Sequence, residues 1–257
     1  MKKIIGIGLG AGALAGMSAF GYARVQVAPL IAQAIHHEDE RSHMLAGITA
    51  EHSHGHEVFT RAVQENVGAG VGVIGFGMVV GVLFAVAYAM VSSSLSALSR
   101  SAGPAWVATA LSVVGLIAVS LVPALVYPAN PPGVGQEETA GQRTVAYLAL
   151  LVVSVAAVAV LTAVALRFAP RVGAWTSVMG AVWAYVGVIA LAATILPRVH
   201  EVPAGFPADL LYEFRLQSVL TAAVMWMVLG TAFAGASARA LPARIQMTVK
   251  EVVHDGR

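Results

Sequence analysis

Six histidines fall between positions 36 and 56, interleaved with acids: His36-His37-Glu38-Asp39-Glu40, then His43, then Glu51-His52-Ser53-His54-Gly55-His56-Glu57. On a helix, His36, Glu40 and His43 stand at i, i+4 and i+7 and share one face, with His37 beside it. Imidazole and carboxylate so arranged can chelate a divalent ion. Imidazole suits Zn, Cu, Ni and Co, whereas carboxylate alone suits Mg, Ca and Mn. His52, His54 and His56 alternate around a glycine, which suits a flexible loop that wraps an ion. The competing readings are a solvated polar loop and a pH-sensing one. Hydrolysis is a poorer fit. A zinc protease helix needs a second histidine three residues after its His-Glu pair. After His37-Glu38, His56-Glu57 and His200-Glu201 the chain has Arg41, Thr60 and Ala204 instead. No Gly-x-Ser-x-Gly elbow is present, and there is no cysteine to act as nucleophile or thiolate ligand. The chain is therefore read as not an enzyme.

Two further segments carry candidate ligands. The first is Pro123-Ala-Leu-Val-Tyr127-Pro-Ala-Asn130-Pro-Pro-Gly-Val-Gly135. Each proline lacks an N–H, so the carbonyl four residues earlier loses its helical partner; Val119, Ala124, Tyr127 and Pro128 are the carbonyls concerned. Irregular backbone at membrane depth survives where it is buried in protein or lines a wet cavity. With Tyr127 and Asn130 the segment could form an oxygen-rich mouth on an ion path, or simply a rigid turn that ends a helix. The second segment runs from Pro197 to Arg215 and contains His200, Glu201, Asp209 and Glu213. His200 and Glu201 are candidate metal ligands. Asp209 and Glu213 share a helix face and are candidates for the ion path, against a plainer role as interfacial caps and ion pairs.

These groups need a scaffold, and hydropathy supplies it. The 257 residues are 58% hydrophobic and 11% charged, with a mean hydropathy of +0.79. Soluble domains carry about 25% charged residues. Six apolar stretches, Ile4–Ala23, Val67–Val91, Ala105–Tyr127, Val145–Phe168, Trp175–Leu196 and Leu216–Ala238, are each near or above the ~20 residues that cross a bilayer as a helix. Backbone groups in lipid must be satisfied internally, which selects helices. The expectation is an all-α polytopic membrane protein, one integral membrane domain over residues 1–257. A His- and acid-rich segment, 24–66, separates spans one and two, and a tail, 239–257, follows span six. Within the first of these, Pro29 opens an amphipathic helix, with Ile31, Ile35, Leu45 and Ile48 at helical spacing, suited to a membrane surface. Gly55 breaks it, and a short helix, Glu57–Asn66, leads into span two.

The loops after spans one, three and five hold eleven of thirteen acids and seven of eight histidines; those after spans two and four hold none of either. With both termini cytoplasmic, inner segments carry nine Lys and Arg and outer loops six, which agrees with the positive-inside rule. The His-rich face then points outward. Met1-Lys2-Lys3 and Gly21-Tyr22-Ala23 resemble a cleavable leader, but an apolar run of ~19 residues favours a retained span. Gly6, Gly8, Gly10, Gly12 and Gly16 lack the strand and following acid of a dinucleotide fingerprint. Gly8, Gly12 and Gly16, four apart, instead suit close helix packing, as do Gly68 with Gly72 and Gly77 with Gly81.

The strings Tyr127-Pro-Ala-Asn-Pro-Pro-Gly-Val-Gly135 and Glu201-Val-Pro-Ala-Gly-Phe-Pro-Ala-Asp-Leu-Leu-Tyr-Glu-Phe-Arg215 closely resemble signatures of the CbtA family, the probable cobalt transporter subunit. Ala23-Arg24, Ala34-Ile35 and Arg61-Ala-Val-Gln64 look like it too, so the resemblance spans nearly the whole chain. It departs at Ala28-Pro29, where family members often carry an acid before the proline. The resemblance implies a multi-pass protein of the bacterial inner membrane, working with CbtB, a small single-span subunit that carries histidine. The family is described with five spans; the hydropathy here gives six. No resident cofactor is expected. The ion carried would be divalent, cobalt first, with nickel and zinc as alternatives. The chain has no Walker motif, and the six apolar stretches contain no acid. A membrane potential gives a divalent cation roughly 4.6 kcal/mol of inward drive per 100 mV. The expected function is uptake of a divalent transition metal. The alternative is a metal-binding accessory or sensor whose spans only anchor the loop.

Overall fold

A computed structural model of the chain describes residues 2–46, 68–94, 104–197 and 202–240, and these are helical throughout except at connections. The helices are α1 (Lys2–Gln26), α2 (Ala28–Ala46), α3 (Ala69–Ser94), α4 (Pro104–Gly115), a π-helical segment (Leu116–Leu121), α5 (Val122–Val126), α6 (Glu137–Val172), α7 (Ala174–Ile195) and α8 (Ala208–Ala240). Six stretches, the third running from α4 through α5, are long and apolar enough to cross a membrane, as the hydropathy predicts. The expected helix Glu57–Asn66, the loop histidines 52, 54 and 56, His200, Glu201 and the tail beyond Ala240 lie outside the described residues.

The chain divides into two units. The first comprises Met1–Arg24, His54–Val114 and Thr221–Arg257. Its centre is backbone against backbone. Gly8, Ala11, Gly12, Ala15, Gly16 and Ala19 form the buried stripe of α1. A Cβ added at Gly8 or Gly12 would meet the carbonyls of Gly81 and Gly77, and one at Gly16 would lie 2.8 Å from the Ile74 Cα. Only residues without a side chain let two helices come this close. Gly72 is different: a Cβ there meets open space, so the packing expected of it is absent. The glycine pattern was predictive for Gly77 and Gly81 because they face α1. The remainder of this unit is aromatic. Phe84 and Tyr88 pack on Phe233, with edge-on contacts of 5.1 Å and 4.9 Å between ring centroids, and Trp226 lies against Phe84. Gly230 leaves room for Ser112, whose hydroxyl donates to the Trp226 carbonyl.

The second unit comprises Val25–Ser53 and Gly115–Leu220. In it α6 and α7 form an antiparallel hairpin joined by one non-helical residue, Gly173, at φ +89°. Its N–H donates to the Ala169 carbonyl (3.0 Å), and Ser177 N–H donates to its own carbonyl (3.1 Å), so the turn leaves few backbone groups unpaired. A left-handed φ of this kind favours glycine. Near the far end of the hairpin, Tyr127, Ala146 and Leu150 pack with Ile189, Ala192 and Leu196. A separate cluster joins Leu30 and Ala34 of α2 to Leu210 and Phe214 of α8, with Val27, Ile31 and Phe206 around it. The helix expected after Pro29 forms as far as Ala46, the last residue described there, and its apolar side is taken by α8. Ile35 and the polar residues after it lie outside that contact.

Candidate metal-capture and ion-path site

The histidines that α2 carries stand on its exposed side. Leu30 and Ala34 turn inward, while His36, His37 and Glu40, further along the helix, are exposed. His36 Nδ1 lies 3.5 Å from one carboxylate oxygen of Glu40, and His37 Nδ1 lies 3.8 Å from the other. One acid thus stands between two imidazoles. The side chains are about half or more exposed, His36 at 72% and Glu40 at 53%. His43 follows on the exposed surface without joining this pair of contacts. Among the described residues no set of three His, Asp or Glu side chains is arranged to hold an ion. The structure therefore gives one carboxylate flanked by two imidazoles, with His43 further along, on a helix fixed by its apolar side.

The proline segment begins inside the third span. The π register there is set by backbone bonds five residues apart, ending with Val122 N–H to the Ile117 carbonyl. The next bond in that register would run from residue 123 to Ala118, and residue 123 is proline. The ladder stops, and the Ala118 carbonyl is left without its backbone donor, one residue before the Val119 of the α-helical counting. Ser154 of α6 supplies the missing donor: its hydroxyl reaches the Ala118 carbonyl at 2.7 Å and lies 2.8 Å from the Tyr185 hydroxyl of α7. With the serine proton spent on the carbonyl, Tyr185 is the donor in the second bond. Ser154 and Tyr185 were not among the residues the sequence singled out. The usable signal was a hydroxyl on a neighbouring span able to meet a proline-freed carbonyl.

After Val126 the chain leaves the helix, so the carbonyls of Tyr127 and Pro128 have no helical bonds to lose. Tyr127 is 7% exposed, and its hydroxyl donates to the Pro197 carbonyl at 2.8 Å. Its oxygen therefore links two connections, the one after α5 and the one after α7. The Asn130 side-chain oxygen accepts from Arg215 Nη2 at 3.0 Å. Pro131 is buried, Val134 N–H closes a turn on its carbonyl at 3.1 Å, and Gly133 adopts φ +75°. A Cβ there would sit 3.5 Å from that of Glu38 on α2. The segment is thus held by α2 on one side and α8 on another. Asp209 and Glu213 lie on the exposed side of α8, next to the buried Leu210 and Phe214. Among the described residues their carboxylates make no ion pair. Structure brings Asn130 to Arg215 and His36 to Glu40 and His37; Tyr127 and Asn130 bond elsewhere, to Pro197 and Arg215.

The family model for CbtA, described as a probable cobalt transporter subunit, matches residues 1–238. No curated protein and no solved structure matches the chain.

Proposed function

Since this chain belongs to the CbtA family of probable cobalt transporter subunits, we propose that it takes up divalent cobalt across the bacterial inner membrane with a small single-span partner of the CbtB type. Ions would collect at α2 and at His52, His54 and His56, then pass to a mouth formed by the proline segment with Asn130, His200, Glu201, Asp209 and Glu213. The observation that carries this reading is the placement of Glu40 between His36 and His37 on a helix whose other side is anchored to α8. Anchoring keeps the donors beside the proline segment, which α2 itself contacts through Glu38. No carboxylate lies in the six apolar stretches, so the membrane potential is the simplest drive: about 4.6 kcal/mol for a divalent ion at 100 mV.

Capture and conduction are separable. Replacing His52, His54 and His56 with Ala should weaken cobalt uptake severalfold at low metal and spare it at high metal. Asn130→Ala or Glu201→Ala should instead lower the maximal rate at every concentration, with protein level checked by immunoblot. The reverse pattern would exchange the two roles. No change in either set would favour a metal-binding accessory or sensor. That second reading draws on the lack of any acid within the six apolar stretches.

The same proposal fixes orientation. Reporter fusions after Arg100 and after Arg257 should both give cytoplasmic signals, because inner segments carry the excess of Lys and Arg. A periplasmic signal at Arg257 alone would leave five retained spans.

A further inference from the structure

One charged group near the proline segment has no part in the scheme above. Arg215 is partly buried on α8, immediately after the core residue Phe214. Its Nη2 donates to the Asn130 side-chain oxygen at 3.0 Å, while its Nε is buried without an acceptor. Among the described residues no carboxylate is paired with it. A guanidinium has five donors and normally meets a carboxylate or phosphate when it leaves water. Among the described residues it has one neutral amide oxygen. A cation withdrawn from water with so little compensation is held loosely and gains by swinging out into solvent. The oxygen it holds is also the kind a divalent ion would use, and two cations cannot share it.

We propose that Arg215 is a tethered competing cation: it occupies the Asn130 oxygen until an incoming divalent ion displaces it, and so sets the affinity of the proline segment for that ion. This rests on the transport reading. The functional logic is one of release. A mouth that binds too tightly would hold its cargo, and a positive charge that returns to the site helps to expel it. The role assigned to Arg215 is specificity and affinity. It differs from a plain helix-to-loop strut because it depends on charge and not on the shape of the side chain.

Charge and hydrogen bonding can be parted by substitution. Arg215→Gln keeps an N–H for Asn130 without the charge; Arg215→Lys keeps the charge without the planar fork. The readout is the half-saturating concentration for radioactive cobalt uptake in cells producing the full chain and its single-span partner. A unit charge about 8 Å from a divalent ion, at the dielectric of water, shifts affinity about sixfold. Arg215→Gln should therefore lower the half-saturating concentration about sixfold, while Arg215→Lys stays within about twofold of the wild type. An unchanged or raised value for Gln, or Lys moving together with Gln, overturns the proposal. Asn130→Asp keeps the test decisive if Arg215→Gln fails to accumulate. The introduced carboxylate would pair with the guanidinium and hold it in place, raising the half-saturating concentration. If Arg215 is inert, the added carboxylate acts only as a better ligand and lowers it, which overturns the proposal. A wild type that takes up no cobalt removes the transport reading and this one with it. A wild type that does so, with Gln and Lys variants indistinguishable from it, removes only this one.

Discussion

Gly81→Ala should destabilise the protein by roughly 2–3 kcal/mol, while Gly10→Ala, the same chemical change, should be neutral or stabilising by up to about 1 kcal/mol. The two positions differ in what a methyl group would meet. At Gly81 it runs into the Gly8 carbonyl and comes within 2.7 Å of the Gly12 Cα; at Gly10 nothing lies within 4 Å. The obstructing atoms belong to another helix's backbone, so no rotamer change relieves them. At Gly10 the methyl only restricts the unfolded chain and improves helix propensity. Thermal unfolding in detergent, together with the amount of protein in membranes, checks both. Equal melting temperatures for the two variants would show that α1 does not pack on α3 through its glycines.

A second large effect is expected at the π segment. Ser154→Ala should cost about 1–3 kcal/mol, because it leaves the buried Ala118 carbonyl without a donor. Restoring the backbone N–H at residue 123 should change that cost. In a Pro123→Ala background the peptide itself can donate to Ala118 in the π register, or the segment can revert to α-helical bonding. Either outcome makes the serine redundant. The coupling between the two substitutions should exceed about 1 kcal/mol in a double-mutant cycle. Tyr185→Phe should cost less, about 0.5–1.5 kcal/mol, since it removes a bond to a hydroxyl that keeps its carbonyl partner. Additive effects for Ser154 and Pro123 would mean that the serine stabilises the bundle by some route other than the freed carbonyl.

Hydropathy located the spans well and their ends poorly, for a physical reason. It detects the length of chain soluble in hydrocarbon, whereas a helix continues wherever its backbone bonds do. The fourth apolar stretch, Val145–Phe168, belongs to a helix that begins at Glu137, and the sixth, Leu216–Ala238, to one that begins at Ala208. Glycine spacing found Gly12 and Gly77 because close approach requires a missing side chain. It also suggested Gly72, since spacing alone does not say which way a helix faces. The His36–Glu40 pairing was legible from helical periodicity, being local to one element. The links Asn130 to Arg215, Tyr127 to Pro197 and Ser154 to Ala118 join residues far apart in the chain. Such pairs depend on how the helices assemble, and no local pattern specifies them.

The length of α6 bears on the lipid as well as on the protein. Its 36 residues rise about 54 Å at 1.5 Å each, beyond the ~40–45 Å of a bilayer with its headgroups. The hairpin partner α7 has 22 residues, about 33 Å. Near the end of α7, Leu196 meets the region of Ala146 and Leu150, and α6 begins earlier, at Glu137. That extension, carrying Glu138, Gln142 and Arg143, is polar enough to sit in headgroups or in water. A few ångströms of thickening would cover residues that tolerate an interface, and a few of thinning would uncover residues already helical. Acyl-chain length should therefore matter little to how this hairpin is seated, and thickness alone would sort the protein weakly among membranes.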